Sequence, residues 1–388
     1  MNSMPDLTVR TLGLSLPNPF VIGSGPPGTN ANVIAKAFDE GWGAVIAKTV
    51  CLDHRRIVNV SPRYARMRAP SGAASGGGGG SGGSREIIGW ENIELISDRP
   101  FDVWLEEFRR LKNDYPDRVL IASIMEEFRE DAWAEIIGRV QETGVDGLEL
   151  NFSCPHGLPE QRMGSAMGQD PAVLEEVCSW VNTHATVPVW AKLTPNVTDI
   201  AACGSACLRG GVDGLSAINT ILCIMGVNLE TLRPEPTVEG YSTPGGYSSI
   251  AVRPIALRMT MELARMQREE FLGASLSAIG GIESGEDAAQ FILMGAHTVQ
   301  VCTGVMKHGY GLVGTMLNGL KAFMESKGFE RLDDFRGMAL QHITTHAELV
   351  RLQSEARFRE RGDSGTVRGD GDWRGDRFTE QSESLAGN

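Results

Sequence analysis

Short apolar runs rich in β-branched residues recur along the chain, each followed by a stretch with helical spacing. The runs are Phe20–Ser24, Ala44–Thr49, Val119–Ile124, Gly147–Asn151, Val189–Leu193, Gly214–Asn219, Ser275–Gly280 and Thr298–Cys302. Apolar at successive positions, they read as strands buried on both faces. The helical stretches are Ala31–Glu40, Phe101–Tyr115, Asp131–Thr143, Ile200–Arg209, Pro254–Gln267 and Leu312–Lys327. Two further helices announce their starts. Asp170-Pro171 offers an N-cap and a proline at the first helical position. Ser284-Gly285-Glu286-Asp287 opens another in capping-box style, and Gly295 follows its last apolar residue. Eight strand–helix units predict a (β/α)8 TIM barrel rather than an open doubly wound sheet.

Two segments depart from the alternation. Residues 71–84 are Gly/Ser-rich and read as a flexible insertion between the second and third strands. The stretch 357–388 is polar and charged and reads as a disordered tail, leaving 1–356 for the barrel. At 388 residues the chain is long enough for two or three domains, but one barrel with insertions absorbs the length.

Charge and cysteine usage narrow the function. With 36 Lys+Arg against 49 Asp+Glu the net charge is −13, which argues against a phosphate-neutralising nucleic-acid surface. Met1 to Leu16 hold no basic region followed by a long apolar stretch, so no signal peptide is expected. The absence of any run of 18 apolar residues predicts no membrane span. Cysteines stand at 51, 154, 178, 203, 207, 223 and 302, none in a Cys-x-x-Cys pair, so no metal site is expected. Reduced thiols inside a cell or organelle fit that scatter.

Function in a barrel lies at the carboxyl ends of its strands. Those ends present Gly23-Ser24, Lys48-Thr49, Asn151-Phe152-Ser153-Cys154, Lys192, Asn219-Thr220, Gly280-Gly281 and Thr303-Gly304. Lysine is seldom buried without a partner, so Lys48 and Lys192 are not packing residues. The glycines after strands seven and eight match the usual phosphate site of this fold. Gly23-Ser24-Gly25-Pro26-Pro27-Gly28 fits a dinucleotide fingerprint in spelling only. Pro26 and Pro27 remove two amides, and Lys48 stands where a ribose-binding acid is needed. Cys178, Cys203 and Cys207 fall on helical patterns and Cys302 inside a strand, so all four read as core thiols. Cys154 differs, because Pro155 ends its strand and presents the thiol in the mouth. Nucleophile, ligand and proton donor stay open for it.

The segments GWENIELIS (89–97), LELNFSCPHG (148–157), AKLTPNVTDI (191–200), AINT (217–220), TPGGYS (243–248), VRPIAL (252–257), IGGI (279–282) and VQVCTG (299–304) carry a resemblance. The chain resembles the class 1 dihydroorotate dehydrogenase superfamily from about residue 7 to 350. Within it, the chain resembles the flavin barrel of dihydropyrimidine dehydrogenases, in the single-barrel plant and algal form. The resemblance implies an FMN-binding barrel that reduces the 5,6 double bond of uracil or thymine, with hydride reaching C6 and a proton from Cys154 reaching C5. It implies that Asn92, Glu94, Asn151, Ser153, Asn219 and Thr220 hold the pyrimidine. Gly23, Ser24, Lys48, Thr49, Asn151 and Lys192 would meet the flavin ring. Gly246, Ser248, Gly280, Gly281, Thr303 and Gly304 would meet its ribityl and phosphate. Glu94 stands where the dihydroorotate enzymes usually carry glycine, and its charge would repel orotate. Ser249 departs from the family's glycine at the end of GG-x-S-G. NADPH is implied as ultimate donor, directly or through a separate reductase, and the family analogy implies a homodimer. The plant-like match implies a plastid, and otherwise a cytoplasmic enzyme. The alternatives are a dihydroorotate dehydrogenase, which Glu94 disfavours, and a tRNA dihydrouridine synthase, which the acidic charge disfavours.

Overall fold

The structure, a computed structural model, describes residues 5–70, 86–153 and 163–359. Eight parallel strands close into a barrel. In chain order they are Phe20–Ile22, Ala44–Ile46, Val119–Ile124, Gly147–Asn151, Val189–Lys192, Gly214–Ala217, Ser275–Ile279 and Thr298–Val301, hereafter barrel strands one to eight. Every expected strand is present, shorter by one to three residues at most carboxyl ends, where the chain turns into loops. Strand eight pairs with strand one through Val299↔Phe20 and Val301↔Ile22, which closes the ring. Strands three and four are buried at every position, as both-face packing requires.

The helices follow their sequence signals. Asn30 caps Ala31–Glu40 by accepting from the amides of Asn32 and Val33, and Gly41 ends it in the left-handed region at φ 96. Asp170 caps Pro171–His184, and Ser284 with Asp287 forms the capping box of Gly285–Leu293. The apolar faces of these helices join strand side chains in one continuous core that includes Trp42, Trp104, Trp133 and Phe152.

Three additions to the barrel were not anticipated, one of them a two-stranded ribbon of Gly226–Asn228 and Arg233–Glu235. A hairpin of Val9–Thr11 and Leu14–Leu16 lies at its amino-terminal end. Leu14 and Leu16 line an internal cavity there with Val21, Val119 and Ile121. At the other end, a four-stranded antiparallel sheet orders Ile221–Cys223, Gly245–Ser248, Ile87–Asn92 and Tyr64–Arg68. Its strands come from the segments after barrel strands two and six.

Among the described residues the chain forms two compact units, one ending at Leu340 and one beginning at Gln341. The expected boundary at 356/357 falls within the helix His346–Arg359 of the second unit. The expected insertion at 71–84 and residues 360–388 of the tail lie outside the described residues.

Candidate functional site

The carboxyl ends of the strands and the antiparallel sheet enclose a cleft of about 1080 Å³, open to solvent. Strand ends bring Ser24, Lys48, Thr49, Asn151, Lys192, Asn219 and Thr220 to its wall, as the sequence predicts. The antiparallel sheet and its flanks add Asn92, Glu94 and Ser248, and the loops after strands seven and eight add Gly280, Gly281, Thr303 and Gly304. Gly23, Ser153 and Gly246 stand behind the wall rather than on it. Cys154 lies outside the described residues.

Glu94 is the electrostatic centre of one side. Its Oε2 lies 2.8 Å from Lys48 Nζ and accepts from the Tyr64 hydroxyl at 2.9 Å. Its Oε1 accepts from Arg63 at 2.8 Å. Burial pushes this carboxyl up, but the charge of Lys48 and the bonds from Lys48, Tyr64 and Arg63 outweigh it and hold Glu94 below its ordinary range. A carboxylate offers about four lone-pair sites. Three are taken, so one remains for a donor in the cleft. Arg63 and Tyr64 were invisible as site residues in the sequence, because they stand at the start of a sheet strand that reaches the cleft only through pairing with Asn92, distant in the chain.

Polar side chains on neighbouring strands tie one another down. Asn151 Nδ2 donates to Thr49 Oγ1 at 2.9 Å, and Thr49 Oγ1 lies 2.7 Å from Ser123 Oγ and 3.2 Å from Ser24 Oγ. Asn151 Oδ1 accepts from the Ser153 amide and hydroxyl at 3.0 and 3.1 Å. Asn219 Nδ2 donates to Ser153 Oγ at 2.5 Å. Ser153 therefore links the two asparagines from a fully buried position. On the side of the antiparallel sheet, the lid of the cleft, Asn92 donates to the Gly246 carbonyl at 3.2 Å, and Ser248 Oγ lies 2.9 Å from Thr303 Oγ1. Buried Glu91 accepts from the Met225 and Gly245 amides at 2.8 and 3.0 Å, stitching the loop after strand six to the sheet.

Beneath the cleft lies a second polar layer. Glu149, Ser216, Ser277, Thr298 and Gln300 project inward from strands four, six, seven and eight, and all are buried. Alternation on strand four explains Glu149, because it shares a face with Asn151. The sequence reading missed both Glu149 and Gln300, since runs buried on both faces conceal which face is the barrel interior. Cys302 also departs from expectation. Expected as a core thiol, it lines the cleft, with Gly25 so near that a Cβ there would come within 2.6 Å of its sulfur. Burial pushes the thiol up to about 11, against the opposing pull of Lys192 and Lys48. Cys178, Cys203 and Cys207 are buried, as expected.

The donor set suits a flavin mononucleotide. Two buried lysines meet the cleft, which fits a ring that gains negative charge on reduction. Glycines allow close backbone approach at the other end. Gly281 is at φ +70, and a Cβ on it would lie 2.7 Å from the Ser249 carbonyl. Among the described residues no group of His, Cys, Asp and Glu could hold a metal, and no helix is long and apolar enough to cross a membrane.

The sequence model of dihydroorotate dehydrogenase matches residues 6–324. The chain is 57% identical over 387 residues to dihydropyrimidine dehydrogenase (NADP(+)), chloroplastic, of Arabidopsis thaliana, spanning 100% of this chain and 89% of that protein. It is 41% identical over 348 residues to the NAD-dependent dihydropyrimidine dehydrogenase subunit PreA of Escherichia coli K12, covering 89% of this chain and 80% of that one. It is 32% identical over 336 residues to the catalytic subunit of dihydroorotate dehydrogenase B (NAD(+)) of Pyrococcus horikoshii, with 86% and 98% covered. A crystal structure of DHODH from Eimeria tenella in complex with ferulenol superposes with a TM-score of 0.67 at 20% identity, covering 87% of this chain and 89% of that one. That likeness speaks for the fold alone.

Proposed function

This chain belongs to the dihydroorotate dehydrogenase family, and from that premise we propose that it is an FMN-dependent dihydropyrimidine dehydrogenase that reduces the 5,6 double bond of uracil and thymine. The observation that carries the choice is Glu94, held anionic in the cleft by Lys48, Arg63 and Tyr64. A fixed carboxylate accepts a ring N–H from a neutral pyrimidine and repels the carboxylate of orotate. The named activities of the Arabidopsis and Escherichia coli relatives agree.

FMN, when bound, would supply hydride chemistry for the reduction at C6 of the pyrimidine. Ser24, Lys48, Thr49 and Lys192 hold the ring region, with Gly23 behind them. Gly280, Gly281, Thr303, Gly304 and Ser248 receive the ribityl and phosphate, with Gly246 keeping the lid close. Asn151, Asn219, Thr220 and Asn92 orient the pyrimidine, since an amide can both donate to ring carbonyls and accept from ring N–H groups. Ser153 fixes the two asparagines relative to each other. Cys154 delivers the proton to C5 and takes it back in the reverse direction.

NADPH is the ultimate donor, reaching the flavin directly or through a reductase subunit, and the enzyme works as a homodimer in a plastid. The chloroplastic relative supports the compartment and the donor, and the subunit named in Escherichia coli supports a reductase partner. Anaerobic mixing of the oxidised holoenzyme with dihydrouracil should bleach the flavin, while dihydroorotate should not. Full bleaching by dihydroorotate with none by dihydrouracil sinks the assignment. Cys154→Ala should bind FMN yet lose pyrimidine-linked bleaching.

A further inference from the structure

Lys192 cannot be understood without the residue beneath it. It ends strand five, is 4% exposed, and lines the cleft. Its Nζ lies 3.4 Å from Glu149 Oε1 and 3.3 Å from Gln300 Oε1. Glu149 has no exposure at all. Its Oε2 accepts from Ser216 Oγ at 2.8 Å and from Gln300 Nε2 at 3.0 Å. Its Oε1 has no hydrogen-bond partner, which leaves that oxygen turned to the ammonium alone. Below the pair the barrel interior is walled by Leu16, Val21, Ile46 and Ile121, which offer no charge. A carboxylate this deep persists only against a paired cation. Among the described residues, Lys192 is the cation in ion-pair range of it.

We propose that Glu149 is the positioning residue of Lys192. It anchors the ammonium at the cleft floor from below and cancels its charge, and so sets how strongly the site favours reduced over oxidised flavin. Gln300 aligns the pair by donating to one partner and accepting from the other. The nearest other charged groups are Lys48, Glu94 and Arg63, with Glu94 contacting both cations. With Glu149 in place the charge of Lys192 is offset from below. Loss of the Glu149 charge leaves Lys192 uncompensated and rewards the electron-rich flavin.

The link to the flavin rests on the function proposed above, whereas the ion pair does not, so the test has two arms. In the holoenzyme, Glu149→Gln should shift the ratio of reduced to oxidised flavin dissociation constants about tenfold toward the reduced form, equivalent to about 30 mV for a two-electron couple. Glu149→Asp, which retains the charge, should keep the ratio within about twofold of wild type. A Glu149→Gln ratio within twofold of wild type, or shifted the other way, overturns the proposal. In flavin-free protein, Lys192→Met should lower the unfolding midpoint, and Glu149→Gln with Lys192→Met together should recover most of the loss, because the two charges leave as a pair. No recovery in the double variant also overturns it, and this arm stands even if Glu149→Gln alone does not fold. If wild-type protein takes up no flavin, the proposed function fails while the second arm still decides the pair.

Discussion

At the scale of single residues, Ser249 carries a strain that glycine would not. It has φ 80 and ψ −167, a region essentially restricted to glycine. It is buried, and its Oγ has no hydrogen-bond partner. The two defects act in the same direction. Relief of the backbone strain is worth about 1–3 kcal/mol, and the added freedom of a glycine in the unfolded chain returns about 0.5–1 kcal/mol. Ser249→Gly should therefore raise stability by about 1–2 kcal/mol. Ser249→Ala removes only the hydroxyl and should gain less. Urea midpoints of the variants decide this, and a lower midpoint for Ser249→Gly refutes the strain argument. Glu94 gives the second residue-scale prediction. Glu94→Gly removes the like charge that opposes orotate, a repulsion worth several kcal/mol where it is desolvated. The ratio of dihydroorotate to dihydrouracil turnover should rise at least about tenfold. An unchanged ratio separates Glu94 from substrate choice. Legibility at this scale followed the backbone. Lys48, Asn151, Lys192 and Asn219 could be read because strand ends can be counted along the chain. Glu149, Gln300, Arg63 and Tyr64 could not, because barrel interior and lid contact are set by closure.

At the scale of elements, local signals served the helices and strands of the barrel and failed for the lid. Asp170 and Ser284 cap the helices they announce, and Asn30 and Gly41 bound Ala31–Glu40, with Gly41 in the left-handed region. Each cap is decided within a few residues. The antiparallel sheet joins Asn92 to Gly246 across 154 positions, with strands of three to six residues in which Gly245 and Gly246 interrupt any alternation. No short-range pattern can report such pairing. The end of strand three offers an element-scale test. Glu126, buried there, accepts from the Leu52 amide at 2.6 Å and so ties the loop after strand two to strand three. Burial raises its carboxyl from 4.5 to about 7, with backbone bonds from Leu52 and Glu127 opposing and the Glu127 charge reinforcing. The folded form therefore holds this proton more tightly than the unfolded chain. Stability from it is complete below the unfolded value and is lost as pH rises through about 7. Glu126→Gln retains an acceptor for Leu52 without the charge. It should match wild type near pH 4.5 and exceed it by about 3 kcal/mol at pH 8. Thermal unfolding at the two pH values tests this, and an equal difference at both removes the titration from the explanation.

At the scale of the whole molecule, one barrel mouth has to serve two half-reactions. The alternation of strands and helices made the barrel legible from sequence, and the likeness of its motifs made the flavin legible. The way electrons enter was not, because no local pattern describes it. The architecture nevertheless constrains it. Lys48, Lys192 and Cys302 meet the cleft from the strand ends, and the antiparallel sheet walls one side. The residues that would hold the flavin therefore line a cleft that is open on one side. Asn92, Glu94, Asn151 and Asn219, proposed above to hold the pyrimidine, line that same cleft. A nicotinamide that reduces the flavin directly would enter by this same cleft, after product has left. Steady-state kinetics should accordingly be ping-pong, with parallel double-reciprocal lines when NADPH and uracil are varied. Uracil at high concentration should inhibit competitively against NADPH, because it occupies the cleft that NADPH needs. Intersecting lines without that inhibition place electron entry at a separate point on the surface, as a docked reductase subunit would require, and stopped-flow reduction with and without uracil distinguishes the two outcomes directly.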